Sequence, residues 1–149
     1  MEDEKKQYES TISLLDEAYK NVRMASYAID CIIDKIENQE LEKLLRKQNK
    51  LYLDSVNDLE GLSNKYKHEP KDISIFLKGT SFASINMKTM MNNDTSHLAQ
   101  MLVEGTTMGI TQMIQSKNES NVDDQYLNKI IDNIISYEEE FVDSLKTFL

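Results

Sequence analysis

The chain has 149 residues, 40% apolar and 29% charged, which suits one soluble globular domain with a core of its own. A formal charge of −9 argues against binding nucleic acid through phosphates, and equally against an anionic membrane surface. One proline and four glycines leave few helix breakers, and the single Cys31 allows no internal disulfide.

No apolar leader follows Met1, and no run of about 18 apolar residues suggests a membrane span. The cytoplasm is the expected location. Cys31 itself reads as a small buried apolar residue on a helix. The expected fold is all-α, one domain over 1–149.

The first helix is expected over about 4–36. Tyr8, Ile12, Leu15, Tyr19, Val22, Ser26, Ile29, Ile33 and Ile36 alternate spacings of four and three, a heptad seam for packing at a small crossing angle. Ala18, Ala25 and Ile32 widen the stripe to that of a bundle helix. Asn38 either ends this helix in a left-handed conformation or caps the next. So short a connection makes the two helices antiparallel neighbours.

The second helix is expected over about 39–66, with Glu40 and Glu42 favouring its first turn through the helix dipole. Its seam is Leu41, Leu45, Gln48, Tyr52, Ser55, Leu59, Leu62 and Tyr66. The middle of that seam is polar, and Ser26 falls nearly level with it. Such a layer is either a site or a register device of satisfied hydrogen bonds.

Lys67 to Asp72 form a linker containing Pro70, which ends the second helix before it. His68 reads as a solvated loop histidine. A further helix is expected over 73–91, a crossover weakened in its middle by Gly79, Thr80 and Ser81. Asn92 to Thr95 supply turn chemistry and an N-cap.

The helix over 95–117 is almost uncharged, so it belongs deep in the bundle. Its seam is expected to be His97, Met101, Glu104, Met108, Thr111 and Gln115, beside a face of Leu98, Leu102, Gly105 and Gly109. Ser120-Asn121-Val122-Asp123 is similar to a capping box, opening a last helix over 121–148. That helix has the seam Leu127, Ile131, Ile134, Glu138, Phe141, Leu145 and Phe148, with Glu139 and Glu140 facing water. Glu104 and Glu138 each interrupt a seam, so both are expected in the interior, within reach of each other or of Gln48 and Tyr52.

Two antiparallel helices, a long crossover and two more antiparallel helices resemble the ferritin-like, rubrerythrin-type four-helix bundle. The phrase Asn38-Gln39-Glu40-Leu41-Glu42-Lys43-Leu44-Leu45 is similar to that family's first turn and second helix. Tyr19 to Met24, Thr95 to Ala99 and Gly105 to Ile110 resemble a clostridial-type branch of the superfamily. Active members hold two metals with a Glu from each of two helices and a Glu-x-x-His from each of the other two. The resemblance places those ligands near Val22 or Ser26, at Tyr52 and Ser55, at Glu104, and at Glu138 with Phe141 standing in place of histidine. Two carboxylates remain and neither histidine does, so the resemblance implies a lost metal centre and no cofactor.

The expected function is a non-catalytic bundle, a structural or protein-interaction module that forms a homo-oligomer or meets a protein partner. No nucleophile–base pair and no phosphate-binding glycine loop is visible. Six methionines between Met87 and Met113 suit either a core or an adaptable interface. The alternatives are a metal- or redox-linked protein of the ferritin-like kind, and a small-ligand binder using the polar middle layer. For the last, the candidate residues are Ser26, Gln48, Tyr52, Ser55, Glu104 and Glu138.

Overall fold

The computed structural model describes residues 1–71, 73 and 94–149. Four long helices make up the described fold: α1 Glu2–Ile32, α2 Gln39–Lys65, α3 Thr95–Ser120 and α4 Gln125–Lys146. Among the described residues no helix is long and apolar enough to cross a membrane.

Local chemistry sets the ends. Glu2, Asp3 and Glu4 place negative charge at the positive end of the α1 dipole. A 3₁₀ turn, Ile33–Lys35, tightens the end of α1, so the α-helix stops short of the expected residue 36. Asn38 caps α2, its side chain accepting from the Leu41 N–H at 3.0 Å. Asp94 caps α3 by accepting from the His97 N–H at 3.3 Å.

The expected capping box from Ser120 does not form. Ser120 is the last residue of α3, and Asn121 takes a left-handed conformation (φ 48°) that asparagine tolerates at a helix end. Asp124 is the cap of α4 instead, accepting from the Leu127 N–H at 2.9 Å.

Hydrogen bonds at one end of the bundle fix the directions. The Tyr8 hydroxyl donates to the Tyr66 carbonyl at 3.2 Å, and the Asp123 N–H donates to Gln7 Oε1 at 2.9 Å. The Tyr66 hydroxyl donates to the Asp124 carboxylate. The start of α1, the end of α2 and the turn from α3 to α4 therefore meet there. Consequently α1 and α4 run one way, and α2 and α3 the other. The end of α2 and the start of α3 lie at opposite ends of the bundle. Each of α1 and α4 packs against both α2 and α3.

The core follows the expected seams most closely in α2 and α4. All of Leu41, Leu45, Gln48, Tyr52, Ser55, Leu59 and Leu62 are buried, as are Leu127 through Leu145 of the α4 seam. Each such leucine or isoleucine contributes about 1.5–3 kcal/mol by leaving water. In α1 the seam shifts by part of a turn: Leu14, Ala18 and Ile32 are buried with Leu15, Val22, Ser26 and Ile29, while Tyr8 is exposed.

The α3 seam is corrected. Its buried residues are Leu98, Ala99, Thr106, Gly109 and Met113, whereas Met108 is 63% exposed and Thr111 and Gln115 face outward. Threonine, glutamine, methionine and glycine occur all round α3, so its polarity pattern does not fix its rotation. Leu98 and Met113 fix it by filling the core.

The helix expected over 73–91 lies outside the described residues, except that Ile73 is buried. His68 is not a solvated loop residue: its Nε2 pairs with Asp16 Oδ1 at 2.8 Å, tying the end of α2 to α1. Cys31 is half-buried rather than fully enclosed.

Candidate functional site

Glu138 sits on α4 at mid-bundle, 1% exposed, where the heptad spacing aims it into the core. Two neutral donors hold it. Asn21 Nδ2 of α1 donates to Glu138 Oε1 at 2.9 Å, and the Tyr52 hydroxyl of α2 donates to Glu138 Oε2 at 2.9 Å. Burial raises the carboxyl to about 7, against the pull of the two hydrogen bonds. Glu138 therefore changes protonation near neutral pH.

The hydroxyls around it do not. Burial first, and the Glu138 charge next, raise Tyr52 well above the ordinary phenol range. Burial likewise raises Tyr137, although its hydrogen bond with Ser55, at 2.9 Å, works against this. The Tyr52 and Tyr137 rings meet edge to face with centroids 5.5 Å apart, which fixes both hydroxyls.

Gly109 of α3 passes beside the Asn21–Glu138 pair. A Cβ built on Gly109 of α3 would lie 2.6 Å from Asn21 Oδ1 and 3.7 Å from Glu138 Oε2. Glycine is thus what lets α3 approach the Asn21–Glu138 pair. A Cβ built on Gly105, one turn away, meets none of the described residues within 4 Å.

That open space belongs to a cleft between α1 and α3, with a cavity volume of about 210 Å³. Among the described residues its walls are mostly apolar: Met24, Ala25, Ala28, Ile29 and Ile32 from α1, and Leu98, Met101, Leu102, Met108 and Met113 from α3. Phe141 adds to it from α4, and Tyr52, Asn21 and Glu138 form a polar patch in the lining. Glu17, Lys20 and Gln112 add further polar groups.

The six sequence candidates do not form one site. Tyr52 meets Glu138, and the Gln48 side chain lies close enough to the Tyr52 hydroxyl to pull its pKa down against burial. Ser26 donates to Asn49 Oδ1 at 2.6 Å, and Asn49 Nδ2 donates to Asp30 Oδ1, a separate link between α1 and α2. Ser55 serves Tyr137. Gln48 is buried beside Tyr52, and among the described residues its Nε2 makes no well-formed hydrogen bond. The interior placement of Glu104 is overturned: it is exposed and accepts from Gln100 Nε2 at 3.3 Å, because α3 turns that edge outward.

Asn21 and Gly109 are the residues sequence reasoning missed as partners of Glu138. Asn21 lies beside the seam residue Val22, off the heptad stripe, so periodicity passes over it. The usable signal was small residues on both helices: Ala25 and Ala28 on α1, Gly105 and Gly109 on α3. Of the six methionines, Met101, Met108 and Met113 line the cleft, and Met87, Met90 and Met91 lie outside the described residues. Among the described residues, no three of His, Cys, Asp and Glu converge as a metal site would require.

Comparison with protein-family models, with curated proteins and with solved structures finds no match for the chain.

Proposed function

We propose that the chain is a non-catalytic helical bundle that binds a small ligand in the α1–α3 cleft, with Glu138 as its polar anchor. The observation that carries this reading is an apolar cleft whose lining includes a buried, hydrogen-bonded carboxylate. Binding pockets commonly combine apolar walls with a few convergent polar groups. The parallel run of α2 and α3 supports the ferritin-like resemblance, since such bundles carry one long crossover. In that reading Glu138 is the remnant of a metal-ligating set, kept for a different use.

A thermal-shift screen tests the reading with Gly105→Leu as the control. The new side chain would grow into open space and fill the cleft without a clash at its Cβ. Ligands should raise the Tm of the natural chain and leave Gly105→Leu unmoved. Ligands that stabilise both equally would place binding elsewhere. Anaerobic Fe(II) loading, desalting and elemental analysis address the metal-linked alternative. Fewer than about one metal per chain should remain, because a two-metal centre needs roughly four carboxylates and two histidines. Retention of two, lost in Glu138→Ala, would restore it.

A further inference from the structure

We propose that the cleft selects a monovalent organic ammonium ion with an apolar body, its head group paired with the Glu138 carboxylate. This rests on the ligand-binding reading above and narrows it to one chemical class.

The argument is charge complementarity. A buried carboxylate is costly unless it is paired and hydrogen-bonded. Glu138 has its hydrogen bonds, from Asn21 and Tyr52, but both donors are neutral. Among the described residues no cation figures among the groups that set its protonation. A neutral ligand adds no counter-charge to the carboxylate, and an anionic one adds repulsion in an apolar wall. An ammonium ion supplies the missing charge while its hydrocarbon body covers Met24, Ala28 and Met101. The size of the cleft, about 210 Å³, suits a small body rather than a peptide.

Among the described residues, the other groups around Glu138 come from α1, α2 and α4. From α1 come Asn21, which does not titrate, and the half-buried Glu17 and Lys20, one charge of each sign. From α2 comes Tyr52, and from α4 its neighbour Tyr137, both held protonated by burial. The α3 residues in the lining include no titratable side chain. An alkylammonium ion keeps its proton across this range, as lysine does at about 10.4. Binding it requires Glu138 to be ionised, so binding releases a proton below pH 7.

The experiment is calorimetric titration with three probes sharing one body: hexylammonium, hexanol and hexanoate. At pH 8 hexylammonium should bind at least about ten-fold more tightly than hexanol, and hexanoate most weakly, the spread expected of one charge pair in low dielectric. Its affinity should fall about ten-fold from pH 8 to pH 6, while that of hexanol stays level. Glu138→Gln should bind hexylammonium and hexanol alike, with no pH slope. The pH profile of the natural chain stands independently of that variant's folding.

Hexanol binding as tightly as hexylammonium, or a Glu138→Gln variant that keeps the preference, overturns the ammonium assignment. If such binding is also abolished by Gly105→Leu, the ligand-binding reading survives. If none of the three probes binds, or if Gly105→Leu leaves binding intact, both fail.

Discussion

The two sides of the middle layer are built from side chains of different size. Where α2 faces α4, Tyr52 and Tyr137 stack edge to face, Ser55 satisfies the Tyr137 hydroxyl, and Ile134 is fully buried. Where α1 faces α3, small residues, Ala25 and Ala28 on α1 and Gly105 and Gly109 on α3, line a cleft between the helices. Large side chains fill their layer and hold it rigidly. Small ones let α3 come close to the Asn21 side chain at Gly109 and, among the described residues, leave a gap one turn away at Gly105. Glu138 lies where the closed side meets the open one. Its tyrosine partner belongs to the first, its asparagine partner and its cleft to the second.

The largest effect should separate the two sides by packing alone. Ile134→Ala removes a fully buried side chain and leaves a cavity, so a loss of about 2–5 kcal/mol is expected in urea unfolding. Met108→Ala, at the exposed edge of the cleft, should stay within about 0.5 kcal/mol. Comparable losses would mean that the α1–α3 side is as closely packed as the other.

Glu138 gives the next effect, and its sign depends on pH. Its folded-state pKa, about 7, lies above the ordinary 4.5. The protonated carboxyl therefore contributes stability that is fully present below 4.5 and is lost as pH rises through 7. The loss should be roughly 3 kcal/mol, reached on a plateau above neutral pH. Glu138→Gln stays neutral and should not show it. Measured against the natural chain at a series of pH values, the variant should gain relative stability from pH 5 to 7 and then hold it. A variant that instead loses more than about 2 kcal/mol at pH 8 would show a strongly bonded, ionised carboxylate.

The closed side was largely legible in the sequence, and the open side was not. In α2 and α4, leucine and isoleucine alternate with charged residues, so the heptad seam names the buried set, including Tyr52, Ser55 and Glu138. The pattern also marks Glu138 as anomalous, since a carboxylate in an apolar seam needs partners. In α3 the chain is uniformly mild in polarity, and the expected interior position of Glu104 fails because no contrast fixes the rotation. Asn21 escaped because a hydrogen bond between helices 117 positions apart leaves no periodic trace. The turn at Ser120 was misread for a related reason. Asn121 and Asp124 each offer end-of-helix chemistry, and only the docking of α4 decides which residue serves which helix.

The smallest effect is also the sharpest comparison, because it sets two glycines of one helix against each other. Either one replaced by alanine gains helix propensity of about 0.8–1 kcal/mol. At Gly105 none of the described residues lies within 4 Å of the new Cβ, so that gain should appear nearly whole. At Gly109 the Cβ would stand 2.6 Å from Asn21 Oδ1, so the asparagine has to move. Moving it weakens the Nδ2 bond to Glu138, which costs about 1.5–3 kcal/mol where the acceptor is charged. Gly109→Ala should thus lose on the order of 1 kcal/mol at pH 8 while Gly105→Ala gains about as much. At pH 5 Glu138 is neutral and the Asn21 bond weaker, so the Gly109→Ala loss should shrink. With Asn21→Ala already in place the obstructing atom is gone, and Gly109→Ala should become stabilising. Urea unfolding of the four variants gives the coupling directly. If Gly109→Ala costs as much without Asn21 as with it, α3 is held there by backbone packing alone, and the Asn21–Glu138 pair does not set how closely the helices approach.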